Sequence, residues 1–237
     1  MLTSLDIFSE NSFLFHVDSG IISHIPEIRY CLTTFNLSNY QDQLFKHLII
    51  PFPQTLTLAV EKRRAEYLAA RYAARCLLQE AGCQGSVGSL PNRAPLWPAG
   101  WRGSISHTDE YAIAVIVQEN ANLSPGIDIE KFDPTTMLEI ASMFTTPGEQ
   151  SLLARAELPY ETALLIAFSS KESLFKALYP EVNHFFGFDA AQVCHIDVTA
   201  NTLTLELTRT LAPGRTVGCR LYSYFTFHGD KVITLVV

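Results

Sequence analysis

Gly126-Ile127-Asp128-Ile129-Glu130 is the stretch on which the fold turns. Read as a strand, its period of two puts Ile127 and Ile129 on one face and Asp128 and Glu130 on the other. The two carboxylates then stand side by side. One reading is the wet face of a half-buried strand. The other is a pair of repelling charges with a cation between them, and hard carboxylate oxygens suit Mg2+ or Mn2+ rather than zinc. That second reading calls for a third oxygen ligand.

The strand extends to Phe132, after a short connector over Asn120 to Pro125, and helices are predicted over 135–143, 147–156 and 161–179, with Pro180 stopping the last. On that last helix Glu172 and Lys176 are four apart and share a face with Leu165, Phe168 and Tyr179. The other side carries Leu164, Ile166, Leu174 and Ala177. A helix apolar nearly all round is a buried one, so Lys171, Glu172 and Lys176 either pair privately or reach an internal polar site. We prefer the second: Glu172 becomes the third carboxylate and the lysines neutralise phosphate oxygens. From Val193 to Val237 apolar and polar residues alternate in short runs, which predicts a closing antiparallel sheet.

Upstream, a helix is predicted over 60–81, ended by Gly82. At about 100° per residue, Arg64, Arg71 and Arg75 fall within about 40° of one another with Arg63 flanking, opposite Ala65, Ala69, Tyr72, Ala73 and Cys76. The arginine face is either an ordinary solvated surface or a grip for a polyphosphate, for which the forked guanidinium is the fitting donor. A loop through Trp101 leads to a hairpin of Gly103 to Ser106 and Tyr111 to Gln118 around His107-Thr-Asp-Glu110. Ser106 and His107 are neighbours on a strand and point to opposite faces. With no GxSxG elbow either, a hydrolytic triad is not expected. Beside Arg93 and Arg102, His107 can instead donate to a phosphate. Residues 1–59 mix short apolar stretches with turn-formers and carry little chemistry.

The 237 residues, 48% of them apolar, are enough for one large or two small domains. The predicted class is α+β, in two helix-plus-antiparallel-sheet halves, 1–122 and 123–237. A net charge of −7 argues against nucleic-acid binding, yet seven of the 17 basic residues lie between Lys62 and Arg102, so a local anion site survives. The five cysteines lack CxxC spacing and read as reduced core thiols. No Lys or Arg precedes Arg29 and no apolar run reaches bilayer-spanning length, so neither a leader nor an anchor is expected and the protein should be cytoplasmic.

Four segments taken together, Lys62-Arg-Arg-Ala-Glu-Tyr-Leu-Ala-Ala-Arg71, Arg93-Ala-Pro-Leu-Trp-Pro leading to Gly-Ser-Ile-Ser-His107, Gly126-Ile-Asp-Ile-Glu130 and Phe168-Ser-Ser-Lys-Glu-Ser-Leu-Phe-Lys176, resemble the 4′-phosphopantetheinyl transferases of the surfactin-activating superfamily. The ordered set is far more specific than any one motif. It spans about residues 60–179, including Phe144-Thr-Thr-Pro-Gly-Glu149. The resemblance implies two similar halves related by a pseudo-twofold, with coenzyme A in the cleft between them. It implies that Arg63, Arg71, Arg93 and His107 hold the 3′-phosphate and adenylate end, with Ser106 among the coenzyme A contacts, and that Lys171 and Lys176 lie along the pyrophosphate. Asp128, Glu130 and Glu172 match the family's metal carboxylates, for Mg2+ or Mn2+. Ala70 stands where relatives often carry Gly; its methyl takes up room on the helix's approach to ligand, but Ala is small enough that binding is expected to survive.

The implied reaction is attack of a carrier-protein serine on the β-phosphorus of coenzyme A, with Glu172 as base and Lys176 stabilising charge. The acceptors would be apo acyl, peptidyl or aryl carrier domains, with a lean to siderophore and other nonribosomal peptide synthesis, and the enzyme a monomer. A metal-dependent phosphodiesterase or nucleotide hydrolase could use the same acids with water as nucleophile. A third reading is a non-catalytic module that binds coenzyme A or carrier protein.

Overall fold

A computed structural model describes residues 12–237; residues 1–11, where the predicted first half and the expectation of no leader begin, lie outside it. The chain divides into two compact units, with the boundary between Ser124 and Pro125.

In the first unit, β1 (Leu14–Ile22) and β2 (Ile25–Phe35) form a hairpin that the sequence reading did not anticipate. A short helix α1 (Leu44–His47) and the long α2 (Glu61–Glu80) follow, then the two-residue strands β3 (Gly88–Ser89) and β4 (Pro95–Leu96), and the hairpin β5 (Trp101–Thr108) and β6 (Tyr111–Gln118). The sheet is antiparallel in the order β1-β2-β6-β5. Helix α2 lies against β6 and β2. Small side chains permit that approach: Ala65, Ala69 and Ala73 on the helix and Ala112 and Ala114 on the sheet are all wholly buried. Leu68, Leu77 and Leu78 fill the remaining space. The helix ends where Gly82 turns to φ +79, with Gly82 N–H on the Gln79 carbonyl and Cys83 N–H on that of Leu78. Ala70 is buried in this same core, so its methyl faces the packing.

In the second unit, β7 (Gly126–Lys131) leads into α3 (Pro134–Phe144), α4 (Pro147–Leu153) and α5 (Tyr160–Val182). The strands β8 (Ala191–Asp197), β9 (Thr202–Leu207), β10 (Arg220–His228) and β11 (Lys231–Val236) then complete an antiparallel sheet in the order β7-β11-β10-β9-β8. Asp133 caps α3, accepting from Thr136 N–H, with Pro134 in the first turn, where its missing N–H costs nothing. Thr146 and Glu149 cap α4 reciprocally. Pro180 does not stop α5. The helix runs through it to Val182, whose burial against the core offsets the lost N–H bond, and closes at Asn183, at φ 57, with its N–H on the Tyr179 carbonyl at 2.8 Å. Among the described residues no helix is long and apolar enough to cross a membrane.

One contact sets the geometry of this unit. A Cβ built on Gly126 would stand 1.9 Å from the Ser173 carbonyl oxygen and 2.5 Å from Ala177 N, so β7 and α5 touch backbone to backbone, and only glycine fits there.

Candidate active site

The Gly126 contact brings the acid face of β7 against α5. Asp128 is 2% exposed, which rules out the wet strand face. Its Oδ1 lies 2.7 Å from Lys176 Nζ, and its Oδ2 accepts from Ser169 Oγ at 2.8 Å. Lys176 also donates to the Ile127 carbonyl at 3.1 Å. Glu130 follows two residues on, and Glu172 comes from α5 one turn before Lys176. Burial pushes Glu130 up to about 8, with the charges of Asp128 and Glu172 adding to the rise and Lys176 opposing it. Glu172 is raised by burial and by Asp128, again against Lys176. It borders a cavity of about 140 Å3 walled by Phe175, Phe185, Phe186 and Phe188.

Asp128 thus pairs with the Lys176 ammonium, while Glu130 and Glu172 feel the charges of both. The excess negative charge and the hard oxygens of the three carboxylates fit a divalent cation of the Mg2+ class. They do so by electrostatic reach: among the described residues no three His, Cys, Asp or Glu side chains already converge as a ligand set. Asp128, Glu130 and Glu172 are the residues that would hold such an ion.

Lys171 is corrected. Its ammonium is 4% exposed, pairs with Glu149 Oε1 at 2.7 Å and donates to the carbonyls of Phe144 at 2.7 Å and Phe188 at 3.3 Å. All three donors are spent inside the unit, which leaves none for a pyrophosphate. Burial lowers its pKa, against the pull of Glu149. Glu149 also accepts from Val193 N–H at 2.8 Å and closes the α4 cap, so the pair ties together α4, α5 and β8. The Thr-x-x-Glu capping pattern was the available sign of Glu149; its partner, far along the chain, had none.

In the first unit the structure gathers Arg63 and His107. Arg63 Nη1 lies 2.5 Å from His107 Nε2, and Glu66 Oε2 stands 3.6 Å from both Arg63 Nη1 and His107 Nδ1. A guanidinium only donates, so Nε2 accepts and the imidazole proton faces Glu66. Burial raises the Glu66 pKa, and Arg63 and Lys62 moderate the rise. Glu66 is the acid of this cluster.

The arginine face does not act as one surface. Arg64 binds Asp42 at 2.5 Å and the Ala59 carbonyl, and Arg75 binds the carbonyls of Leu48 and Ile49 at 2.7 and 2.6 Å. These two close the loop before the helix, because carbonyls left outside regular structure need donors. Arg71 is buried, donates to Gly88 O and Ser89 Oγ at 3.1 Å each, lies over the Tyr67 ring, and keeps its Nε unpaired. Its burial depresses its pKa. Arg93 is exposed in a tight turn at φ 71. Ser106 is buried and, one residue from His107 along β5, sits on the sheet's other face, away from the Arg63 cluster.

An acid-rich strand packed on a lysine-bearing helix, with a separate Arg-His-Glu cluster, defines a phosphate-handling enzyme. The chain belongs to the 4′-phosphopantetheinyl transferase superfamily, which residues 124–234 match, while residues 52–117 match the 4′-phosphopantetheinyl transferase N-terminal domain. It is a holo-carrier-protein synthase by class. Among its relatives is enterobactin synthase component D of Salmonella typhi, 35% identical over 222 residues, covering 91% of this chain and 90% of the relative. The Escherichia coli (strain K12) protein of the same name is 40% identical over 146 residues, covering 60% of this chain and 67% of the relative. The 4′-phosphopantetheinyl transferase Svp of Streptomyces mobaraensis is 35% identical over 169 residues, covering 68% and 65%.

Proposed function

We propose that this chain transfers 4′-phosphopantetheine from coenzyme A to a serine hydroxyl of an apo carrier protein, releasing 3′,5′-ADP, as a cytoplasmic monomer. The acceptors are peptidyl or aryl carrier domains of siderophore synthesis, a reading supported by the names of its relatives. The observation that carries the chemistry is the ion pair of Asp128 with Lys176 at 2.7 Å, whose charges also act on the half-buried Glu130 and Glu172.

In the transfer, the serine oxygen forms a bond to the β-phosphorus while the bond from that phosphorus to the oxygen of 3′,5′-ADP breaks. Mg2+, when bound by the three carboxylates, supplies Lewis-acid stabilisation of the phosphate oxygens. Glu172 takes the serine proton, and its raised proton affinity suits it to that task at neutral pH. Lys176 sets its ammonium against the charge on the phosphate oxygens. Asp128 keeps that ammonium in place before substrate arrives. Arg63 and His107 take the 3′-phosphate and adenylate end, the imidazole through its Nδ1 proton, with Arg93 as an exposed further donor. Lys171 has no place in the ligand contacts.

Glu172→Gln should abolish transfer of phosphopantetheine to an apo carrier domain, read as a mass gain on the acceptor serine, while coenzyme A binding stays within about threefold of wild type. Near-normal turnover would remove Glu172 from the chemistry. Release of 3′,5′-ADP without acceptor would indicate the hydrolase, and binding without turnover the non-catalytic module.

A further inference from the structure

Asp128 is held from behind by three buried hydroxyls. Ser169 Oγ, which donates to Asp128 Oδ2 at 2.8 Å, stands 2.8 Å from Thr234 Oγ1, and Thr234 Oγ1 stands 2.7 Å from Ser173 Oγ. Ser173 Oγ also donates to the Thr234 carbonyl at 2.9 Å. All three residues are 0% exposed. Ser169 and Ser173 are one turn apart on α5, and Thr234 on β11 is the cross-strand partner of Asp128.

Each hydroxyl has one proton to give. An ionised carboxylate, as the ion pair with Lys176 requires of Asp128, only accepts, so the Ser169 proton is committed to Oδ2. The contact between Ser169 and Thr234 then needs the Thr234 proton, which leaves Ser173 to share its one proton between Thr234 Oγ1 and the Thr234 carbonyl. The Ser169 and Thr234 protons point toward the carboxylate, and bonds aligned in one direction strengthen one another. Buried serines on a helix ordinarily bond back to the carbonyl one turn earlier. Here both reach across to the sheet instead, although the neighbours Leu165, Ala177, Val232 and Val236 make an apolar core in which alanine or valine would pack.

We propose that Ser169, Thr234 and Ser173 are positioning residues that anchor Oδ2 of Asp128 and thereby fix the plane in which Oδ1 is presented to a cation. None of the three touches substrate. The inference rests on the reading of Asp128 as a metal ligand. Partners behind ligating carboxylates commonly change metal affinity about 10- to 100-fold when removed.

The test measures Mn2+ binding in the presence of coenzyme A, by the electron paramagnetic resonance of free Mn2+, together with kcat and KM. Thr234→Val keeps the shape and removes the hydroxyl; Ser169→Ala removes the link to Asp128; Thr234→Ser restores the hydroxyl. The first two should raise the Mn2+ Kd about tenfold or more and lower kcat, with KM for apo carrier unchanged and far-UV circular dichroism retained. Thr234→Ser should stay within about threefold of wild type in both. Wild-type Mn2+ affinity in Ser169→Ala and Thr234→Val would overturn the proposal, as would a Thr234→Ser protein as impaired as Thr234→Val. Asp128→Ala separates the two levels. If it loses Mn2+ and Ser169→Ala does not, the positioning role alone falls; if it binds Mn2+ like wild type, the metal reading falls and takes the positioning role with it.

Discussion

Glu130→Gln is the perturbation whose consequence follows most directly from the electrostatics of β7. In the folded protein burial and two neighbouring carboxylates raise this group from 4.5 to about 8. Between those values the folded state holds a proton that the unfolded chain has released, so stability is fully present below the lower value and is lost as pH rises through the upper one. At about 1.4 kcal/mol for each unit of pKa, the whole rise corresponds to at most ~5 kcal/mol. Because Glu130 keeps partial contact with solvent, we expect about 2 kcal/mol of destabilisation between about pH 5.5 and pH 8.5 for the metal-free protein. Urea unfolding at both pH values in the presence of a chelator measures it. Glu130→Gln should remove most of that fall, and Glu172, raised for the same reason, leaves the remainder. Saturating Mg2+ should shrink the fall in wild type. An unchanged pH dependence in Glu130→Gln would show that the carboxylates are not crowded together as described.

Gly126→Ala should destabilise the protein by about 3 kcal/mol or more, since its Cβ would fall 1.9 Å from a backbone oxygen that cannot rotate away; thermal unfolding reports it. Lys171→Met leaves Glu149 buried without its cation and should cost about 3–5 kcal/mol, while the double change Lys171→Met with Glu149→Gln recovers at least half; chemical denaturation of the three proteins tests this. Arg63→Ala should raise KM for coenzyme A roughly tenfold and lower kcat far less, as the loss of a binding contact does; steady-state transfer kinetics give both numbers.

Where periodicity and punctuation governed, the sequence was a good guide. Gly82 ended α2 as expected, and the alternation of Gly126 to Glu130 put both acids on one face. Lys176 was legible as a buried charge, though not as the partner of Asp128. The hairpin of β1 and β2 escaped because β1 is an edge strand, and its mixed burial blurs any period of two. Helical phase grouped Arg64, Arg71 and Arg75, but tertiary structure assigned them to separate loops. No local pattern says which carbonyls a guanidinium will find. Lys171 and Glu149 failed for the same reason, and so did Ser169 with Thr234, 65 positions apart. Polar residues on a helix apolar all round were the one available hint, and they signalled burial without naming the partner.

The close approach at Gly126 also proofreads the sheet. Strand side chains alternate, so a slip of β7 by one residue against β11 would turn Asp128 and Glu130 to the opposite face and bring the isoleucines to α5. It would also set Pro125 or Ile127, each with a Cβ, where the Ser173 carbonyl leaves room for none. The misaligned strand therefore cannot seat its helix. A chain that assembles this unit at all assembles it with its acids in position, so the yield of folded protein and the yield of correctly formed sites rise and fall together.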